Sequence, residues 1–202
     1  MGALKIFNAE KPKALTWILD YFCVNIFDMN TSNTIIETKN LYLRAITLND
    51  KEDIFREFTP EITVYMMPKP ASKIEETIEF IEASMKGNSE GTNLQMVITD
   101  KDNKNFLGNV GLHHINTKTP ELGIWIKKSA HGHSYGKEAI IALKKWADKN
   151  LRYDYLLYPV ADKNTASRRI PEFLGGQVAR EYDEINMSGN TLHILEYRIY
   201  HS

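Results

Sequence analysis

Apolar and polar positions alternate with a period of two over residues 41–47, the pattern of a strand with one buried face. The period then lengthens, and Ile54, Phe55 and Phe58 recur at helical spacing within 50–58. Ser72 and Glu75 form a Ser-x-x-Glu capping signal beside Ile74, Ile78 and Ile81, which predicts a second helix stopping near Gly87. Strands are predicted at 94–99 and 106–115, joined by the polar turn 100–105, and again at 121–126. From Gly136 onward Ala139, Ile140, Leu143, Trp146 and Ala147 share one helical face while Lys137, Glu138, Lys144, Lys145 and Asp148 point elsewhere. Such a helix packs one side on a sheet and keeps the other wet. A strand at 155–160, a short helix within 164–176 ended by glycine, and two strands at 177–182 and 192–200 linked through Ser188-Gly189-Asn190 complete the pattern. Strand, two helices, three strands, helix, strand, helix and two strands make one mixed α/β domain over 34–202.

Residues 1–33 stand apart as an extension. Its stretch 14–29 carries Leu15, Trp17, Ile18, Leu19, Tyr21, Phe22, Val24, Ile26 and Phe27, too apolar to be left in water. Asp20, Asn25, Asp28 and its short length argue against a membrane span. The expectation is an extra helix packed on the domain, with a dimer contact or a flap over a substrate groove as alternatives.

The join from strand to helix across 121–147 is the first candidate for chemistry. A small-residue turn between Gly132 and Gly136 aims unpaired backbone N–H groups, at the positive end of a helix, toward whatever lies in front. A phosphate suits that position, and an ordinary strand-to-helix turn fits the pattern equally well. The segment lacks the four-residue glycine spacing and the Lys-Ser/Thr pair of a P-loop, and it lacks the dinucleotide fingerprint.

A second stretch, Asn164-Thr165-Ala166-Ser167 with Gly175-Gly176 after it, follows the strand at 155–160. Together with the join it resembles the GNAT superfamily of acetyl-coenzyme A dependent N-acetyltransferases. The family's Gln/Arg-x-x-Gly-x-Gly/Ala loop falls on His131-Gly132-His133-Ser134-Tyr135-Gly136, and its Asn-x-x-Ser element on Asn164 and Ser167. Ile36-Glu37-Thr38-Lys39-Asn40-Leu41-Tyr42-Leu43-Arg44 is similar to the opening of the branch that contains ribosomal-protein N-terminal acetyltransferases. The resemblance spans about 35–200. It implies a central, mostly antiparallel twisted sheet flanked by helices, with acetyl-coenzyme A as cosubstrate and no metal.

The resemblance also implies roles. Residues His131, Gly132, His133, Ser134, Tyr135, Gly136 and Lys137 would hold the pyrophosphate. The backbone of 123–127, including Ile124, Trp125 and Ile126, would align the pantetheine arm and support the oxyanion, and Asn164 would bond that arm. Ser167 would serve the departing thiolate. The chemistry further requires an acceptor ammonium to lose a proton. Glu184 and Glu121 are the candidate bases, acting through water; solvated strand-end charges, or deprotonation by solvent alone, are the alternatives. Departures accompany the matches. His131 replaces Gln/Arg and Ser134 a glycine, Gly176 replaces Phe, and Pro171 stands inside the last helix where many members carry a Tyr acting as general acid. A helix-interior proline costs roughly 3 kcal/mol unless the helix kinks.

A net charge of -1 over 202 residues gives no electrostatic footprint for nucleic acid. One cysteine, Cys23, the absence of a secretory signal, and Ile6 where myristoylation needs Ser/Thr point to a soluble cytoplasmic chain, monomer or homodimer. His113 and His114, adjacent on a strand, face opposite ways and cannot share a metal; Tyr42, Tyr65 and Tyr182 are read first as packing residues, with a place along the acceptor groove as the alternative. Lys127-Lys128 and Arg168-Arg169 are solvated charges or contacts for a phosphate of the cosubstrate. The leading reading is transfer of an acetyl group to a protein N-terminal or peptide amine. A small amine (polyamine or antibiotic) as acceptor, and an acyl-coenzyme A binding regulator without turnover, are the alternatives.

Overall fold

The computed structural model of the protein describes residues 29–102 and 104–201. The apolar stretch 14–29 lies outside them except for Met29, which packs against the main core. Strands β1 (Ile35–Glu37), β2 (Leu41–Ala45), β3 (Asn93–Asp100), β4 (Phe106–His113), β5 (Glu121–Ile126), β6 (Leu156–Ala161), β7 (Gln177–Ile185) and β8 (Thr191–Ile199) form one sheet, in the spatial order 1-2-3-4-5-6-8-7. Neighbours are antiparallel except β5 and β6. Helices α1 (Lys51–Glu57), α2 (Pro60–Thr63), α3 (Ile74–Ser89), α4 (Tyr135–Asn150) and α5 (Thr165–Phe173) flank it.

Both faces of the central strands are covered, so β3 and β4 are buried almost end to end instead of alternating. On one face the predicted stripe of α4 closes the larger core, with Ala139, Ile140, Leu143 and Ala147 fully buried against Leu94, Met96, Val110 and Leu112. On the other, Ile54 of α1 and Ile81 of α3 meet Val97, Phe106 and the half-buried Trp125. Each fully buried Leu or Ile contributes about 1.5–3 kcal/mol, so these two layers decide the fold.

Four local features differ from the reading of the sequence. The predicted Ser72–Glu75 capping box does not form: Ser72 donates through N–H and Oγ to Glu76, at 2.9 and 2.8 Å, one residue later. The capping geometry appears instead at Thr47, whose N–H and Oγ1 donate to Asp50 Oδ2 at 2.8 and 3.0 Å. β1 and α2 are additional elements. β7 runs three residues beyond the expected end, to Ile185, which places Glu184 within a strand paired with Leu192.

The opening motif proves structural. Arg44 makes a two-armed pair with the buried Asp50 at 2.9 and 2.5 Å. Thr38 Oγ1, Asn40 N–H and Asn40 Nδ2 all donate to Glu138 on the first turn of α4, at 2.6, 2.9 and 2.8 Å. Partial burial opposes ionisation of Glu138, but these bonds outweigh it and hold its carboxyl below the ordinary value.

Candidate active site

β5 and β6 share one register position, Glu121 opposite Leu157, next to a bond from Leu157 N–H to Pro120 O of 2.8 Å. Beyond it the strands part, and residues 123–126 have no ladder partner on the β6 side. A cleft of about 900 Å³ opens at this fork. Its walls are aromatic: Phe55 of α1, Phe58 just after it, Phe80 of α3, Trp125, and Tyr182 of β7. Phe58 packs on Trp125 with ring centroids 5.0 Å apart, so Trp125 sits between the second core and the cleft. Gln95, Asn109, His113 and Glu121 make a polar floor.

A loop crosses the cleft. Residues 64–73 leave the face covered by α1 and α3 and bring Met67 against Ala161, Leu192 and Ile194 on the far side of the fork. The β7–β8 hairpin fastens it there: Met187 N–H donates to Met67 O at 2.9 Å and Asn186 Nδ2 to Met66 O at 3.1 Å. Asn186 is buried and also accepts from Ser188 and Asn190 N–H, so one side chain shapes the turn and ties down the loop.

On the opposite side of the sheet, β5 runs through a short 3-10 turn, Lys128–Ala130, into α4. Among the described residues, no protein group accepts a hydrogen bond from the N–H groups of 132–137; the first is Glu138 N–H, which donates to Ser134 O at 3.0 Å. Six donors at a helix N-terminus form a seat for an anion. Ser134, in place of a glycine, takes a left-handed conformation with φ +62°, a strain of about 1 kcal/mol for a residue with a Cβ. His131 folds back so that Nε2 lies 2.8 Å from Ile126 O, and His133 stacks on Tyr135. Lys137 places its ammonium 4.6 Å from the Phe173 ring centre. Gly136 lies in the first turn, beside Ile124 and Ile126.

Across the fork, α5 carries the next candidates. Asn164 caps it, accepting from Ser167 N–H at 3.2 Å, so its Oδ1 is engaged in the helix, and the residue lines the cleft. Ser167 Oγ lies 2.8 Å from the hydroxyl of Tyr158, a residue of β6 that the sequence reading had not singled out. Tyr158 is nearly fully buried, and burial pushes its hydroxyl up to about 12, with the Ser167 bond opposing. The pair lines the cleft. Two departures from the family pattern meet at the end of α5. Gly176 N–H donates to Pro171 O at 2.8 Å and Gly175 N–H to Glu172 O at 3.1 Å, with Gly175 at φ +74°: a Schellman ending. A Cβ at 176 would come within 2.9 Å of Pro171 O, so no larger residue fits there without movement.

Both candidate carboxylates reach the cleft, as does His113. Burial raises the carboxyl of Glu121 above its ordinary value, His114 opposing and Glu196 and Glu184 adding to the rise. Glu184 lines the same cleft from β7. His113 stands directly opposite Glu121 in the β4–β5 ladder, with burial lowering its pKa so that it is neutral at pH 7. Alternation along β4 could have placed His113 on one face with Asn109 and Gly111, but not shown that face to be a cleft. Tyr65 and Tyr182 line it; Tyr42 does not. Arg168 and Lys128 are occupied elsewhere, by Asp162 O at 3.1 Å and by Glu61 at 2.6 Å. Among the described residues, no group of three His, Cys, Asp or Glu side chains could hold a metal, and no helix is long and apolar enough to cross a membrane.

Comparison with known proteins accords with this geometry. The family model for the acetyltransferase (GNAT) domain matches residues 40–177. The uncharacterized N-acetyltransferase YoaA of Bacillus subtilis (strain 168) is 29% identical over 154 residues, 73% of this chain and 87% of that protein. A coenzyme A complex of RimL, a ribosomal L7/L12 alpha-N-protein acetyltransferase, superposes with a TM-score of 0.73 at 15% identity, covering 83% of this chain and 98% of that one. Spermidine N-acetyltransferase from Vibrio cholerae, in complex with CoA and spermine, gives 0.71 at 21% identity, covering 81% and 97%. The forked sheet, the open helix terminus and the family match agree: the chain belongs to the GNAT acetyltransferases and is an acetyl-CoA dependent acetyltransferase.

Proposed function

We propose that the protein acetylates the terminal amine of a peptide or protein, in the cytoplasm, with the acceptor entering the cleft end-on. The observation that supports this reading is the tethered loop: residues bonded between Met67 and Met187 roof the groove, so a chain cannot lie through it and an amine at a chain end can reach the fork. Acetyl-CoA supplies an acyl group activated as a thioester. The N–H groups of 132–137 would hold its pyrophosphate, and the unpartnered edge of β5 at 124–126 together with Asn164 Nδ2 would align its arm.

In this reading Glu121 takes a proton from the acceptor ammonium through water, aided by burial that makes it a stronger base than an ordinary carboxylate. Glu184 helps draw the cation in. Ser167 donates to the departing sulfur, and Tyr158 holds the Ser167 hydroxyl in position and can replace its proton. The three carboxylates of the cleft, Glu76, Glu121 and Glu184, favour a second reading in which a small polyamine is the acceptor. Thiol release from acetyl-CoA, measured on free-amine peptides, the same peptides with blocked termini, and spermidine, decides between them. The proposal expects activity on free termini, lost on blocking; preference for spermidine by tenfold or more in kcat/KM would overturn it.

A further inference from the structure

We infer that Asn109 recognises an amide group of the acceptor, its carboxamide being held unpaired in the cleft floor for that purpose. The inference rests on the peptide reading above and names the residue that would read the peptide. Asn109 is 1% exposed and lies on β4 between Val97 and Trp125. Neither its Oδ1 nor its Nδ2 meets a protein partner among the described residues; both atoms are buried, and Asn109 is one of the residues that line the cleft. A buried carboxamide with neither atom bonded destabilises the fold, and few native side chains are left so.

The surroundings point the same way. A Cβ on Gly111 would lie 2.3 Å from Gln95 Oε1 and 2.9 Å from His113 Nε2, so the absence of a side chain there lets both polar groups fold over the strand beside Asn109. This end of the floor is polar but uncharged, while Glu121 stands four strand positions away, about 13 Å along β5. An acceptor spanning the two ends therefore carries a cation at one end and a neutral donor-acceptor group some three or four residues on. A carboxamide offers two N–H donors and a carbonyl, which another amide satisfies in both directions. A polyamine has no acceptor for Nδ2, and an alkyl chain satisfies neither atom.

The test compares wild type with Asn109→Leu, a near-isosteric change without hydrogen bonds, on a free-amine tetrapeptide and an alkylamine of equal length. The quantity read is the ratio of the two kcat/KM values. Wild type should favour the peptide, and Asn109→Leu should shrink that preference roughly 10- to 100-fold. The same substitution should raise Tm by a few degrees, because it removes an unsatisfied polar group from the interior. Asn109→Ala provides a second reading of the ratio if the larger side chain disturbs the strand. An unchanged ratio in either folded variant overturns the assignment of Asn109 while leaving peptide acetylation standing. A wild-type enzyme that turns over amines but no peptide overturns both.

Discussion

At the scale of single residues, the site separates groups that touch the reaction from groups that hold them. Ser167 has a hydroxyl at the fork, and Tyr158 behind it has no other hydrogen-bond partner among the described residues. A donor to sulfur acts mainly as charge develops, so Ser167→Ala should lower kcat by about 10²-fold while changing the KM for acetyl-CoA little. Tyr158→Phe should lower kcat less, by about tenfold, and the loss should deepen as pH rises. Equal and pH-independent losses in the two variants would reduce Tyr158 to packing. Asn164→Ala should behave differently: it removes a helix cap as well as the proposed contact to the cosubstrate's arm, and should cost about 1 kcal/mol of stability in a thermal melt besides weakening cofactor binding. Glu121 gives a prediction with a definite sign. Its folded pKa lies above the ordinary 4.5, so kcat/KM should fall as pH drops through that raised value, and the acid limb should vanish in Glu121→Gln. Stability runs the other way. The buried carboxyl is neutral at low pH and must ionise as pH rises, so Glu121 costs stability above its folded pKa, and Glu121→Gln should melt higher at pH 7. A variant with lower Tm and an intact acid limb would remove Glu121 from the role of base.

At the scale of elements, periodicity located most strands and helices because their cores lie on one face. α4 shows this: the five apolar positions that predict it are those that meet the sheet. Periodicity carries no signal where a partner, not a pattern, decides. β1 has three residues and exists because Thr38 and Asn40 are pinned to Glu138, a contact across about 100 positions of sequence. The cap at Ser72 moved one residue because Glu76, not Glu75, turns toward it. The turn before α4 was legible as a place for an anion, since free N–H groups follow from any helix start, but its occupants were not. His131 and His133 turned out to bond backbone carbonyls. Ser134 yields a prediction at this scale. Its left-handed backbone favours glycine, so Ser134→Gly should raise Tm by about 2–4 °C and leave acetyl-CoA affinity unchanged or tighter by calorimetry. Loss of binding would mean the serine hydroxyl, not the main chain, carries the anion.

At the scale of the whole molecule, the motifs identified the chemistry in the sequence while the acceptor cleft escaped them. Asn164 and Ser167 fall in a motif, as residues proposed to meet a cosubstrate shared throughout the family would. His113, Asn109 and Gln95 are single residues on separate strands, and only register brings them to one floor. The loop at 64–73 carries no pattern at all, yet its bonds to the hairpin hold it across the cleft and, in the proposed function, limit what can enter. Asn186→Ala should therefore loosen the roof, raising turnover of bulky acceptors relative to small ones while lowering Tm, as release of a buried, multiply bonded side chain would.

The fork itself has a mechanical consequence. Strands β1 to β5 and strands β6 to β8 are two plates riveted at one point in the sheet, Glu121 to Leu157, and bridged on one face by the contact of α4 with α5. In the proposed binding mode the arm lies between them and fills the missing ladder, so the cosubstrate would act as a strut as well as a reactant. At a hundredfold excess over its Kd it stabilises the folded state by about 2.7 kcal/mol, and most of the slowing in amide hydrogen exchange should appear on β6 and α5, on the far plate from the anion seat. Exchange slowed at the turn alone would mean that the plates are already rigid without it.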